Sequence, residues 1–70
     1  MLIYAGLTTA YAKAIYIDGT KKFSEIRSEY VEPVKQYAAA NYTQQQVDSA
    51  LEKGFITQQE YEDTLAYKEL

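Results

Sequence analysis

The sequence contains no cysteine, no histidine and no tryptophan, and only one proline. Without cysteine the chain cannot form a disulfide, and without cysteine and histidine it lacks the usual zinc ligand sets. Histidine is also the commonest general base, and cysteine a common nucleophile. We therefore expect a protein that is not an enzyme, with no catalytic residues, no cofactor and no metal.

Long apolar runs are also missing. A membrane-spanning helix needs about 20 consecutive, mostly apolar residues, and the first apolar stretch of this chain is interrupted by Thr8, Thr9 and Lys13. That stretch also lacks the basic residues that precede the apolar part of a secretory signal peptide. We therefore expect no membrane partner.

Large aliphatic residues are few. The 70 residues are expected to form one small domain, 1–70, and a domain of that size buries only about 60% of the surface that its unfolded chain exposes. The 33 apolar residues include nine Ala and eight Tyr, which leaves 16 strongly apolar side chains. Such small domains usually need extra support, and we expect self-association to supply it.

The formal net charge of −3 is unevenly distributed along the chain. Residues 1–35 carry five basic and four acidic side chains, whereas residues 36–70 carry two basic and six acidic ones. An acidic half repels the phosphate backbone of DNA and RNA. We therefore expect no nucleic-acid partner.

The apolar pattern predicts an N-terminal helix over residues 2–17. Apolar side chains recur there at spacings of three and four, with Ala between them. Asp18-Gly19 predicts the end of this helix, because Gly accepts a left-handed backbone. A strand from Leu2 to Leu7 is the alternative, since Gly6 weakens the helical pattern.

A short turn and a second helix are predicted over residues 20–40. Thr20 is the expected cap of the turn. Pro33 leaves the start of the helix open, because the helix could begin near Glu32 with Pro33 as its first residue, or at Ser28 with a bend. We favour the first alternative, since Pro suits the opening position of a helix.

The clearest local signals lie in residues 43–68. Two Thr-x-x-Gln/Glu capping boxes, Thr43 with Gln46 and Thr57 with Glu60, predict two helix starts. Between them, Gly54 predicts a left-handed stop. These structural caps predict a helical hairpin with helices over residues 44–53 and 58–68. The fold class expected for the whole chain is all-α, a small bundle of three to four short helices that ends in this capped hairpin.

Two groups of side chains allow a functional interpretation. Glu60, Glu62 and Asp63 could hold a divalent cation, but acids in the first turn of a helix also complement its dipole, and we adopt that structural interpretation. The eight Tyr could stack on nucleic-acid bases. We favour the other interpretation, in which they fill a small core and a protein interface.

The N-terminal segment carries the candidate interface. Its apolar side chains extend around more of the helix than one face of a small neighbour would cover, and a wide apolar surface usually marks an association site. The candidate residues are Leu2, Ile3, Leu7, Tyr11, Ile15 and Ile17. We expect either an oligomer of this chain or a complex with a larger protein.

A motif in the C-terminal part resembles the XkdX-type small proteins of phages and prophages. That family shares the pattern K-x-Y, Y-T-x-x-x-V and G-x-I-T-x-x-x-Y, which this chain carries in residues 35–37, 42–47 and 54–61. Residues 3–7 and 19–26 are similar to a second group of short prophage tail-region proteins. The resemblance implies a small tail-associated virion protein with no established catalytic site, in which Gly54, Ile56, Thr57 and Tyr61 are structural.

These observations together predict a small, non-catalytic structural or assembly protein of a bacteriophage or prophage tail, associated with its fibre or baseplate. It would reside in the virion, or in the host cytoplasm during assembly, and would act through protein–protein contacts. The first alternative is a bacterial helical oligomerisation or adaptor module. The second is a phage DNA-binding regulator.

Overall fold

The computed structural model describes residues 3–69, and this part of the chain is all-α, with four α-helices and no strand. The N-terminal helix continues into a π-helical segment, and two short 3₁₀ turns follow it. The α-helices are α1 (Ala5–Ala12), α2 (Val31–Asn41), α3 (Gln44–Glu52) and α4 (Gln58–Lys68); the π-segment is Lys13–Asp18, and the 3₁₀ turns are Phe23–Glu25 and Ser28–Tyr30. No helix in residues 3–69 has the length and apolar character to cross a membrane.

The predicted N-terminal helix is present, but its second half is π-helical. Residues Ala5–Ala12 are α-helical, so the alternative of a strand reaching Leu7 is wrong, and Leu2 lies outside the described residues. The π-segment brings Lys13 and Asp18, five residues apart, within 3.1 Å of each other. A π-turn pairs residues five apart, whereas the sequence pattern was interpreted with the α-helical period throughout.

Gly19 ends this segment where Asp18-Gly19 predicts a stop. Its φ of +68° is left-handed, a conformation that glycine adopts without steric cost. A Cβ at this position would also lie only 2.3 Å from the Phe55 ring. Gly19 therefore serves both the turn and the close approach of the hairpin.

The start of α2 differs from both alternatives. A 3₁₀ turn begins at Ser28, and the α-helix begins at Val31 with Pro33 as its third residue. The first four N–H groups of a helix have no intrahelical acceptor, so Pro33 removes no helical hydrogen bond and no bend is needed.

The predicted role of Thr20 is wrong. The short turn begins at Phe23, and the N–H of Lys22 donates to the Glu25 carboxylate over 2.7 Å. The carboxylate, three residues further on, therefore holds the start of this turn in place of a threonine hydroxyl.

The hairpin has both capping boxes. Thr43 Oγ1 accepts from the N–H of Gln46 over 3.1 Å, and Thr57 Oγ1 accepts from the N–H of Glu60 over 3.2 Å. In return, the side chains of Gln46 and Glu60 each accept from the threonine N–H over 2.8 Å. Each box satisfies two N–H groups that a helix start leaves unpaired.

A Schellman motif ends α3. Gly54 has a φ of +78°, its N–H donates to the Leu51 carbonyl over 3.0 Å, and the N–H of Phe55 donates to the Ala50 carbonyl over 2.8 Å. The helix itself ends at Glu52, one residue before the predicted Lys53, which is its C-cap.

One apolar core joins all four helices. α2 packs against α1 and α4, while the π-segment packs against α3. The buried residues of this core are Ala12, Ile15, Tyr16, Phe23, Tyr30, Val34, Ala38, Val47, Ala50 and Ile56. Two of the largest are tyrosines, so tyrosine does contribute to the core.

Tyr16 contributes a polar contact at the centre of this core. Its hydroxyl lies 2.6 Å from Thr64 Oγ1, and Thr64 in turn donates to the Glu60 carbonyl over 2.8 Å. Because the Thr64 proton is used in that bond, Tyr16 is the donor to Thr64. Burial raises the pKa of the Tyr16 hydroxyl well above its ordinary value, so the donor keeps its proton.

We expect Thr57→Ala to lower the free energy of unfolding by about 1 kcal/mol, because the N–H of Glu60 loses its acceptor. Gly54→Val should cost more, since a β-branched residue strongly disfavours positive φ. Urea denaturation checks both, with Thr20→Ala as the matched control outside the capping boxes. Equal effects of Thr57→Ala and Thr20→Ala would contradict the capping argument.

We expect Thr64→Val to cost about 1–3 kcal/mol, because it leaves the buried Tyr16 O–H without an acceptor. Adding Tyr16→Phe removes the stranded donor, so the double variant should be more stable than the two separate losses predict. A double-mutant cycle by urea denaturation measures this coupling. Strictly additive losses would show that the two hydroxyls do not depend on each other.

Candidate functional site

The structure divides the candidate interface residues between the core and the surface. Ile15 is fully buried, so its assignment to an interface is wrong. Leu7 and Tyr11 are half-buried and pack against the core. Ile3 and Ile17 are exposed, each at 37%, and Leu2 lies outside the described residues.

The reason for this division is that the N-terminal segment has two neighbours instead of one. α1 lies against α2, and the π-segment that continues it lies against α3. The wide apolar surface seen in the sequence is therefore largely covered within the same chain. Among residues 3–17, the large apolar side chains that are exposed are Ile3 and Tyr4 at the N-terminal end and Ile17 at the C-terminal end.

An open groove runs along the surface between α1 and α2, with a volume of about 420 Å³. We call it the α1–α2 groove. Its lining residues, none of which is charged, are Ile3, Ala5, Thr8, Thr9, Pro33, Gln36 and Tyr37. An uncharged surface of this kind disfavours a charged partner and favours an apolar partner.

Tyrosines hold the two walls of the groove together. The N–H of Tyr4 donates to the Tyr30 hydroxyl over 3.1 Å, and the Tyr11 ring packs edge-on against the Tyr30 ring at 5.4 Å between centroids. Beyond the C-terminal end of α2, the ring of Tyr42 lies 5.9 Å from the ring of Tyr16 in the π-segment. Tyr30 and Tyr42, which flank α2, therefore hold it against α1 and the π-segment.

The α2 wall of the groove was missed by sequence reasoning. Pro33, Gln36 and Tyr37 lie at helical spacing on α2, opposite the buried Val34 and Ala38 faces of the same helix. Their spacing of three and four residues is the signal that could have found them. It went unused because the eight Tyr were interpreted together, as residues of a core and an interface, and Pro33 was considered only for the start of the helix.

The acidic cluster at the start of α4 serves the fold. Glu60 completes a capping box, and Glu62 accepts from the Gln58 side chain over 3.0 Å. Asp63 accepts from Gln59 over 2.9 Å and from Lys35 over 2.7 Å. Within residues 3–69, no group of three or more acidic side chains is arranged to hold a metal ion.

Lys35 is a charged side chain buried between α2 and α4, with only 6% exposure. Its ammonium lies 2.7 Å from Asp63 Oδ2, 3.4 Å from Glu32 Oε2 and 5.6 Å from the centroid of the Phe23 ring. Burial acts to lower the pKa of this ammonium, but the Asp63 hydrogen bond and the Glu32 charge outweigh it and raise the pKa. Lys35 is therefore positively charged in the folded protein.

Asp63 is the partner of this buried charge. The hydrogen bonds from Lys35 and then from Gln59 lower the pKa of the Asp63 carboxyl. Glu32 is held by α4 as well, because the Tyr67 hydroxyl donates to its carboxylate. The ion pair therefore fixes the position of α4 on α2, and so the face that α2 presents to the groove.

A second polar cluster joins α3 to α4. The Tyr61 hydroxyl donates to Asp48 Oδ1 over 2.6 Å, and the Gln44 amide donates to the same oxygen over 2.7 Å. The Asp48 carboxylate raises the pKa of the Tyr61 hydroxyl. Tyr61 thus braces the two arms of the hairpin, as a structural residue would.

No protein-family model, no curated protein and no solved structure matches this chain. Function is therefore inferred from the geometry of the site and from the residues themselves. Of the positions that carry the tail-protein resemblance, Gly54 and Thr57 cap helices, Ile56 is buried in the core and Tyr61 braces the hairpin.

Stability should fall at acidic pH through Asp63. Because the pKa of Asp63 is lowered in the folded chain, the unfolded chain binds the proton at a higher pH than the folded chain does. The contribution of ionised Asp63 to the free energy of unfolding is therefore complete above the ordinary carboxyl pKa. It is lost as the pH falls through the pKa that Asp63 has in the folded chain. Urea denaturation across the acid range should therefore show a shallower pH dependence for Asp63→Asn than for wild type.

Glu62→Gln is the control for this prediction, because Glu62 is an exposed acid on the same helix that bonds only Gln58 among the described residues. We expect its pH dependence to match that of the wild type. A wild-type slope in Asp63→Asn would contradict the role given to the Lys35–Asp63 pair.

Proposed function

We propose that this chain is a small, non-catalytic assembly component of a bacteriophage or prophage tail that acts through protein–protein contacts. The observation that supports protein contacts best is the α1–α2 groove, an uncharged surface on a chain in which 24% of residues are charged. The exposed apolar side chains of Ile3 and Tyr4, next to this uncharged surface, suit a protein partner. The tail assignment rests on the resemblance in residues 35–61.

The polar side chains support a structural role in this proposal. Glu60 and Asp63, two of the acids that could have held a divalent cation, are used in a cap and in an ion pair. Asp48 is used in the brace between α3 and α4. Each therefore has a stabilising partner within the domain, and the groove offers shape and apolar contact instead of reactive groups.

A bacterial helical adaptor is the second candidate, because the same groove would suit it. A DNA-binding regulator is less well supported, since the first two turns of α4, which would enter the major groove of DNA in a helix-turn-helix protein, carry Glu60, Glu62 and Asp63. The negative charge at this end of the helix would repel the DNA phosphates.

The test is the location of the chain in the phage or lysogen that encodes it. Mass spectrometry of purified particles should detect the chain with the tail fraction, and deletion of its gene should leave heads intact while tails are incomplete. Its gene should lie beside tail genes. Absence from particles and from tail intermediates, with normal tails after deletion, would overturn the proposal and favour the adaptor; salt-dependent micromolar binding to duplex DNA would favour the regulator.

A further inference from the structure

We propose that the Asp18–Gly19 peptide is a site of spontaneous isomerisation that the folded chain protects, and that a chain which has reacted there can no longer pack its N-terminal segment against the hairpin. This inference goes beyond the proposed function and does not depend on it. The reaction is chemical ageing of the chain itself, and it needs no enzyme and no reactant besides water.

The sequence places the most reactive kind of aspartyl peptide at this position. An aspartate side chain reacts with the backbone nitrogen of the next residue, and glycine hinders that approach least because it has no Cβ. The chain has three aspartates, and Asp18 is followed by Gly19, whereas Asp48 and Asp63 are followed by Ser and Thr. The Asp18 side chain is also 44% exposed, so water reaches it.

The reaction has two steps. In the first, the Gly19 nitrogen attacks Cγ of the protonated Asp18 carboxyl, and the N–Cγ bond forms as a Cγ–O bond breaks. The departing oxygen takes the amide proton and the carboxyl proton with it as water, which leaves a succinimide ring. In the second step, water adds to the ring at the Asp18 backbone carbonyl, whose bond to the Gly19 nitrogen breaks. The product is isoaspartate, with an extra methylene in the backbone and no net change in mass.

The folded chain holds both reacting groups apart. The N–H of Gly19 donates to the Ala14 carbonyl, so the attacking nitrogen is already used in a hydrogen bond. Asp18 Oδ2 lies 3.1 Å from the Lys13 ammonium. Side chains on a helix tilt towards its N-terminus, which turns the carboxylate to Lys13 and away from the Gly19 nitrogen. Both bonds join residues five apart, so the π-turn provides both.

Packing against the hairpin adds to this protection. The Gly19 backbone lies directly on the Phe55 ring, since a Cβ at Gly19 would be only 2.3 Å from that ring. The turn therefore cannot change shape without leaving Phe55. The reaction has to proceed through local opening, so its rate in the folded protein is the rate in the open chain multiplied by the fraction of chains that are open.

The product cannot close again in the same way. The extra methylene lies between the Asp18 Cα and Gly19, so Gly19 moves relative to the Ala14 carbonyl, which also accepts from the N–H of Thr20 over 2.9 Å. The Phe55 ring leaves no space beside Gly19 to take up the change. Isomerisation therefore removes the turn through which the π-segment and the hairpin are packed together.

Incubation of the full chain in warm neutral buffer, with and without urea, tests the proposal. Peptide mapping by chromatography and mass spectrometry, with enzymatic methylation of isoaspartate, locates the product. In urea we expect isoaspartate to form faster at Asp18 than at Asp48 or Asp63, which serve as controls within the same chain. In the folded chain we expect the rate at Asp18 to be lower by at least about tenfold, because the turn must first open.

Variants test the protecting contacts. Lys13→Gln should raise the rate in the folded chain by about two- to fivefold, the factor that an exposed ion pair contributes, and should leave the rate in urea unchanged. Lys21→Gln is the matched control, because Lys21 is an exposed lysine that forms no ion pair within residues 3–69. Asp18→Glu should abolish the product at this position in urea, since the larger ring forms far more slowly.

Equal rates at Asp18 in the folded chain and in urea would overturn the protection, as would equal effects of Lys13→Gln and Lys21→Gln. Faster reaction at Asp48 than at Asp18 in urea would overturn the site itself. The isomerised chain, separated by chromatography, should unfold at a lower urea concentration than the unreacted chain. An unchanged urea midpoint would show that the turn still packs against Phe55 and would overturn the proposed loss of packing.

Discussion

A tyrosine at the centre of a protein must find an acceptor for its hydroxyl, and the arrangement of this domain depends on how Tyr16 does so. The ring fills space that a chain poor in Leu and Ile would otherwise leave empty, while the hydroxyl reaches Thr64 on the last helix. A buried hydroxyl without a hydrogen-bond partner in this position would cost more free energy than burial of the end of the ring contributes. The N-terminal segment and α4 are thus held in one relative position.

The same logic governs a second buried polar side chain, Lys35. Lys35 lies between Asp63 and Glu32 with the Phe23 ring beneath it, and Lys68 donates to the carbonyls of Ala39 and Tyr42 at the end of α2. Among the described residues, no buried side-chain nitrogen or oxygen lacks a hydrogen-bond partner. Hydrogen bonds and ion pairs, which are directional, hold a small core of this composition in one arrangement as much as its buried apolar area does.

Much of the fold was predictable from the sequence because its signals are local. The boxes at Thr43 and Thr57, and the stops at Gly19 and Gly54, each depend on a few consecutive residues, and the structure has all four. The burial of Ile15 depends on neighbours distant in sequence. The bond from the Lys22 N–H to Glu25 is local, but it was missed because only Thr20 was considered as the cap of that turn. Periodicity shows that a residue is apolar, but it cannot show how many elements will surround it.

The candidate site was also predictable from the sequence only in part. Ile3 was found because it is apolar and lies in a segment rich in such residues, whereas the opposing wall at Pro33 and Gln36 depends on which side of α2 meets α1. That side is determined by Lys35 and Val34, which point into the protein. A groove between two helices is a property of their packing, so one helix pattern alone predicts only one of its walls.

The contact between Gly19 and Phe55 has a consequence for the order of folding. The hairpin closes through contacts between residues close together in sequence, which form early at little cost in loop entropy. Phe55 lies on the Schellman turn and is therefore already in position once the hairpin has formed. The left-handed turn at Gly19 packs against Phe55 only when the long loop between the two residues closes. Changes at Gly19 that disturb this contact should therefore act mainly on the rate of unfolding, whereas changes in the hairpin caps should act on the rate of folding.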